Sequence, residues 1–132
     1  MIGLDTNILV RYITQDDPLQ SPKANALIEA LTAAEPGYVT QVALVETVWV
    51  LSSKLYAADR AGIAAVVETL LRTKELVVEG SDTVWKALRV FASSKADFAD
   101  CLIERACHDA NCEYTATFDT HSAKTAGLRL IK

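Results

Sequence analysis

Histidine and cysteine are scarce in this chain, with two and three copies, and the way they are spread excludes several chemistries. His108 and His121 lie too far apart in sequence to read as a ligand pair. Cys101, Cys107 and Cys112 are odd in number and lack the C-x-x-C spacing of zinc or redox sites. The expectation is three reduced thiols, with Cys101 partly buried. Glycine forms no phosphate-cradling loop, and no serine sits in a G-x-S-x-G elbow. No run approaches the ~18 uninterrupted apolar residues of a membrane span. No basic segment followed by an apolar one precedes the first strand pattern, so a soluble, cytoplasmic protein is expected.

Positive charge is short as well: Lys and Arg total 13 against 17 Asp and Glu, for a net charge of -4. At face value this disfavours a nucleic-acid partner, because attraction to phosphate needs positive charge. If four acids were gathered around metal ions, however, the remaining surface would be formally neutral, and local basic patches could still bind RNA. What the chain has in quantity is apolar surface, 51% of 132 residues. That suffices for a single domain, residues 1–132, burying roughly two-thirds of its unfolded surface without disulfides or structural metal.

Short β-rich runs recur at Ile2–Asp5, Gly37–Thr40, Glu75–Glu79, Glu113–Phe118 and Leu128–Ile131. Helical patterns cover Asn7–Thr14, Ser21–Ala34, Gln41–Leu55, Asp59–Thr73, Asp82–Ser94 and Asp97–Ala110, with a short turn near Ser122–Ala126. Alternation of this kind implies an α/β fold with a mostly parallel sheet covered by helices on both faces. Ligands in such sheets sit outside the carboxyl ends of the strands. Two of the runs end there in an acid: IGLD with Asp5, and EYTATF followed at once by Asp119.

Taken alone, Asp5 reads as a helix cap and Asp119 as a turn residue. Glu46 is different, because its neighbours one turn away are Val42, Ala43, Trp49 and Val50, all apolar. An unpaired buried carboxylate costs several kcal/mol, so a metal or a specific donor is expected beside it, the alternative being a glutamate that reaches solvent past its neighbours. In KADFADCLIERACHDA, the residues Phe98, Ala99, Leu102, Ile103, Ala106 and Ala110 form an apolar face, with Asp97, Asp100 and Glu104 opposite. Asp97 fits an N-cap, Asp100 the third helical position, and Glu104 a solvated surface. Several acids without a histidine or cysteine cluster define a hard site suited to Mg²⁺ or Mn²⁺, with zinc disfavoured. Metal-assisted chemistry on phosphate is the reading that remains.

The LDTNILV opening, the apolar helix with its single Glu46, ADFADCLIERA and TATFDTH, in this order between Ile2 and Ser122, resemble the PIN domain. More narrowly they resemble the VapC-type toxin of bacterial toxin-antitoxin pairs. The resemblance implies a three-layer α/β fold with a central, mostly parallel five-stranded sheet flanked by helices. It also implies a ribonuclease using Mg²⁺ or Mn²⁺. Asp5, Glu46, Asp100 and Asp119 would be the catalytic, metal-holding acids, with Asp97 an extra acid in some members and Asn7 and Thr117 bordering the site. Water activated there would attack an RNA phosphodiester in line. A homodimer is implied, as is a cognate VapB-type antitoxin whose tail covers the cleft. The apolar run Ala61–Leu71 is compatible with such surfaces and equally with core. With four acids in view, Asp5 is expected to serve metal, leaving the cap to Thr6 or Asn7.

Just past TFD the pattern departs, for many relatives carry a further acid and then an aromatic residue where His121 and Ser122 stand. A fifth acidic ligand, its replacement by His121, and the choice between one and two metals stay open. Two other readings stand beside the nuclease. A haloacid dehalogenase type phosphatase also places Asp after a short apolar strand, but wants a second Asp where Asn7 stands and a downstream Lys. A catalytically inactive PIN fold could serve as a binding module.

Overall fold

Segments of two or three residues become very short parallel strands in the computed structural model, which describes residues Met1–Lys132. The chain forms two compact units, Met1–Glu79 and Gly80–Lys132.

In the first unit the order is β1 (Ile2–Gly3), α1 (Thr6–Thr14), α2 (Gln20–Glu29), β2 (Gly37–Val39), α3 (Gln41–Leu51), α4 (Arg60–Arg72) and β3 (Leu76–Val78). The strands pair in parallel in the order β1-β2-β3, with Gly3 opposite Tyr38 and Val39 opposite Val78. The Leu4 N–H continues the ladder to the Tyr38 carbonyl at 2.9 Å, which delivers the chain to Asp5 at the carboxyl end of β1. A Cβ at Gly37 would stand 2.8 Å from Leu4 Cδ1 and 2.9 Å from Leu31 Cδ1, so only glycine lets β2 pack this tightly. Leu9, Val39, Leu44 and Val67 form the driest part of this core.

Two helices stop earlier than the apolar periodicity predicts. Helix α2 ends at Glu29, not Ala34: Thr32 and Glu35 bond each other in a local turn, and Pro36 disfavours helix in the residue before it. Helix α3 ends at Leu51, not Leu55, where the hydroxyls of Ser52 and Ser53 turn back onto the carbonyls of Val48 and Val50.

The second unit contains α5 (Ser81–Ala92), α6 (Phe98–Asp109), β4 (Ala116–Thr117), α7 (Thr120–Ala126) and β5 (Arg129–Leu130). Phe91 and Phe98 meet edge to face at 5.7 Å between α5 and α6. The buried face of α6 is Phe98, Cys101 and Leu102; Ile103 is half exposed, so the face is rotated from the expected one toward Cys101. Strands β4 and β5 pair in parallel, and the Ser122–Ala126 turn is a helix starting at Thr120. All five strands lie within the predicted runs, but the hydrogen-bonded sheets have three and two strands, not five in one. Strands of two or three residues offer few ladder bonds, and each sheet ends where those bonds end.

Candidate functional site

Asp5 is the N-cap of α1, its Oδ1 accepting from the Thr6 N–H at 2.8 Å. The expectation that Thr6 or Asn7 would take the cap is therefore corrected: Thr6 is the first helical residue and uses its hydroxyl elsewhere. Thr6 Oγ1 donates to Glu46 Oε1 at 3.1 Å, linking residues 40 positions apart. Asn7 is exposed at the same helix start.

Glu46 is not buried. Helix α3 packs Ala43, Leu44, Thr47, Val48 and Leu51 inward, which leaves Val42, Glu46 and Trp49 as an outward stripe. Val42 is 70% and Trp49 76% exposed, so two of the four apolar neighbours that suggested burial face solvent with the carboxylate, while Ala43 packs inward. An apolar side chain can stand outside; only its inverse, a buried polar group, is diagnostic. The Thr6 hydroxyl, not desolvation, singles Glu46 out.

The second unit repeats the arrangement. Asp119 follows β4 and caps α7, Oδ1 accepting from the N–H groups of His121 at 2.8 Å and Ser122 at 3.4 Å. Those two amides hold its carboxyl below the usual aspartate range. The Thr117 hydroxyl accepts from the Asp119 N–H at 3.0 Å and so fixes the turn into the cap. Ser122, 2% exposed, donates its hydroxyl to Asp100 Oδ2 at 2.7 Å. Asp100 lies in the first turn of α6, which Asp97 caps by accepting from the Ala99 N–H, both as the spacing predicts.

Each unit thus holds a carboxylate pair bridged by a hydroxyl residue in the first turn of a helix, Thr6 in one and Ser122 in the other. In all four acids one oxygen is engaged, while Asp5 Oδ2, Glu46 Oε2, Asp100 Oδ1 and Asp119 Oδ2 bond no protein group. None of the four enters an ion pair. Carboxylates oriented through one oxygen and open at the other are the usual state of hard-cation ligands with a supporting shell. Each pair therefore offers the hard oxygen donors that a divalent cation takes, although nowhere do three or more His, Cys, Asp or Glu side chains converge as a ready-made cage.

Other acids are committed elsewhere. Glu104, expected to be solvated, grips Arg105 through both oxygens at 2.5 and 3.0 Å with only 17% of its side chain exposed. Asp109 accepts from Thr83 and Lys86, which lower its pKa. The His121 ring meets the Lys95 carbonyl at 3.2 Å, tying α7 to the segment that precedes α6.

The PIN domain family model matches residues 2–128. The chain belongs to the PIN domain family. PIN domains are in general metal-dependent nucleases, and the family assignment sets the phosphatase reading aside. No curated protein sequence matches the chain. Within this PIN domain, Thr6 and Ser122 are the residues that sequence reasoning undervalued. In the sequence Thr6 reads as a cap and Ser122 as a turn residue and a departure from the family pattern, yet each is a hydroxyl within a helix first turn beside a candidate acid.

Proposed function

We propose that this PIN protein is a cytoplasmic Mg²⁺- or Mn²⁺-dependent endoribonuclease, the VapC-type toxin of a toxin-antitoxin pair, with Asp5, Glu46, Asp100 and Asp119 as its catalytic, metal-holding acids. The observation that carries this reading is the free oxygen on each of the four carboxylates, opposite an oxygen fixed by a protein donor. Those free oxygens would hold the ion, which when bound supplies Lewis-acid activation of water and neutralises charge on the leaving oxygen. The chain's own contribution is orientation. Thr6 and Ser122 fix the rotamers of Glu46 and Asp100, and the cap amides keep Asp119 ionised.

Single-stranded RNA is favoured as substrate by two exposed aromatic side chains. Trp49 follows Glu46 by one turn of α3, and Phe118, 85% exposed, immediately precedes Asp119. Aromatic faces stack on unpaired bases and supply affinity where net positive charge is lacking. A protein partner is supported by a groove of about 310 Å³ in the first unit, lined by Leu9, Tyr12, Ile13, Ile28, Val66 and Leu76. It would receive the apolar face of an antitoxin helix. Exposed Val42 and Leu55 provide apolar surface for a homodimer.

Sequencing of RNA ends tests the reading. The protein is incubated with transfer RNA, ribosomal RNA and short oligonucleotides, with Mg²⁺, Mn²⁺ or chelator. Cleavage at discrete positions that chelation removes and the ion restores is expected. Binding without cleavage across the panel would instead establish the inactive module.

A further inference from the structure

Helix α6 ends in a paperclip of two backbone hydrogen bonds. Ala110 is the C-cap, and Asn111 follows in the left-handed region with φ 67. The Asn111 N–H bonds the His108 carbonyl at 3.0 Å, and the Cys112 N–H bonds the Cys107 carbonyl at 3.0 Å. These are the two bonds of a Schellman motif, in which Cys107 holds the third position from the helix end and Cys112 the second beyond the cap. In this motif a contact between the side chains at those two positions is frequent.

The backbone sets a limit on their separation. With the amide nitrogen of Cys112 3.0 Å from the carbonyl oxygen of Cys107, standard bond lengths place the two Cα atoms at most about 6.9 Å apart. That lies within the reach of a disulfide, which fails beyond about 7 Å. Both thiols are free; Cys112 is exposed and Cys107 half-buried, while Cys101, on the same helix, is buried at 1%. Solvent can reach the outer thiol, and the backbone bond holds the inner residue within bridging range.

We propose that Cys107 and Cys112 form a reversible oxidation site that closes to an intramolecular disulfide in the presence of a hydroperoxide. The Cys112 thiolate attacks the O–O bond, its sulfur taking one oxygen as a sulfenic acid while the peroxide is reduced and leaves as water or alcohol. The Cys107 thiolate then attacks that sulfur; the S–S bond forms, the S–O bond breaks, and hydroxide departs with a proton as water. Two thiols lose two electrons and two protons in all, and the peroxide receives them. Once the first step has occurred, proximity makes the second fast. The crosslink staples the turn that leads from the helix of Asp100 to the strand before Asp119.

The test is a thiol map of the full chain after hydrogen peroxide. Expected are a Cys107–Cys112 crosslinked peptide about 2 Da lighter than its reduced form, an intact Cys101 thiol, and full reversal by a dithiol reductant. C107S should leave Cys112 as sulfenic or sulfinic acid, and C112S should show no crosslink. Sulfinic acid on both cysteines of the native chain, or Cys112 joined to a second molecule while Cys107 stays alkylatable, would overturn the proposal.

Discussion

Thr6 donates its hydroxyl to Glu46 across 3.1 Å while its own amide N–H bonds Asp5 at 2.8 Å, so one residue fixes two candidate acids from different elements. The hydroxyl belongs to a side chain that is only 9% exposed, where a competing water has little access. A buried hydroxyl with one acceptor is a positioning device: it adds little charge but holds a rotamer.

Thr6→Val tests that relationship. Valine keeps the shape and loses the donor, so the Glu46 carboxylate is released while the Asp5 cap, which uses the backbone N–H, survives. RNA cleavage should fall about 10- to 100-fold, the usual cost of removing a hydrogen bond that orients a metal ligand. Thr6→Ser should restore most of it. A chain melting as the wild type does, with cleavage unchanged in Thr6→Val, would show that Glu46 needs no such support.

In the second unit Ser122→Ala is the parallel change with a larger stability component. The hydroxyl is 2% exposed and bonds Asp100 at 2.7 Å. Its removal leaves a half-buried carboxylate short of a donor, at about 1–3 kcal/mol of stability. Denaturant titration should show an earlier midpoint with an unchanged slope, and cleavage should fall alongside.

Asp119 carries the pH dependence. The amides of His121 and Ser122 lower its folded-state pKa, while the unfolded chain keeps a value near 3.9. The cap's contribution to stability is therefore complete above that unfolded value and is lost as pH falls through the lower folded one. Carbon-detected NMR titration should find Asp119 still ionised where an ordinary aspartate is half protonated. Asp119→Asn separates structure from chemistry: asparagine caps as well as aspartate, so the fold should hold while RNA cleavage disappears.

Much of this was legible in the sequence because caps and strand ends are local. Asp97 and Asp100 sit where their spacing puts them, and the Asp5 and Asp119 junctions follow from apolar runs ending in an acid. For Asp5, cap and ligand were opposed as alternatives, although a carboxylate has two oxygens and here uses one for the helix. Which face of α3 packs was not legible, since apolar residues run all around the helix. The cysteine pair does not show in a C-x-x-C pattern, because its spacing is set by the end of a helix. In CHDANC the sign was Asn111 one residue before Cys112, an αL-tolerant residue where a helix could end.

Trp49 and Phe118 bear on the kind of substrate. Both are exposed beyond three-quarters, and neither is needed by the core of its unit. If they stack on bases, Trp49→Ala and Phe118→Ala should each weaken binding of single-stranded RNA by about 1–3 kcal/mol, a five- to 150-fold change in Kd. The melting temperature should stay put. Because stacking is not ionic, the slope of log affinity against log salt should also be unchanged, whereas losing a phosphate-contacting Lys or Arg would flatten it. Fluorescence anisotropy with a labelled oligonucleotide lacking a cleavable 2′-hydroxyl reads binding apart from cleavage. An unchanged Kd in both variants would remove base stacking from the reading and leave affinity to the cationic side chains.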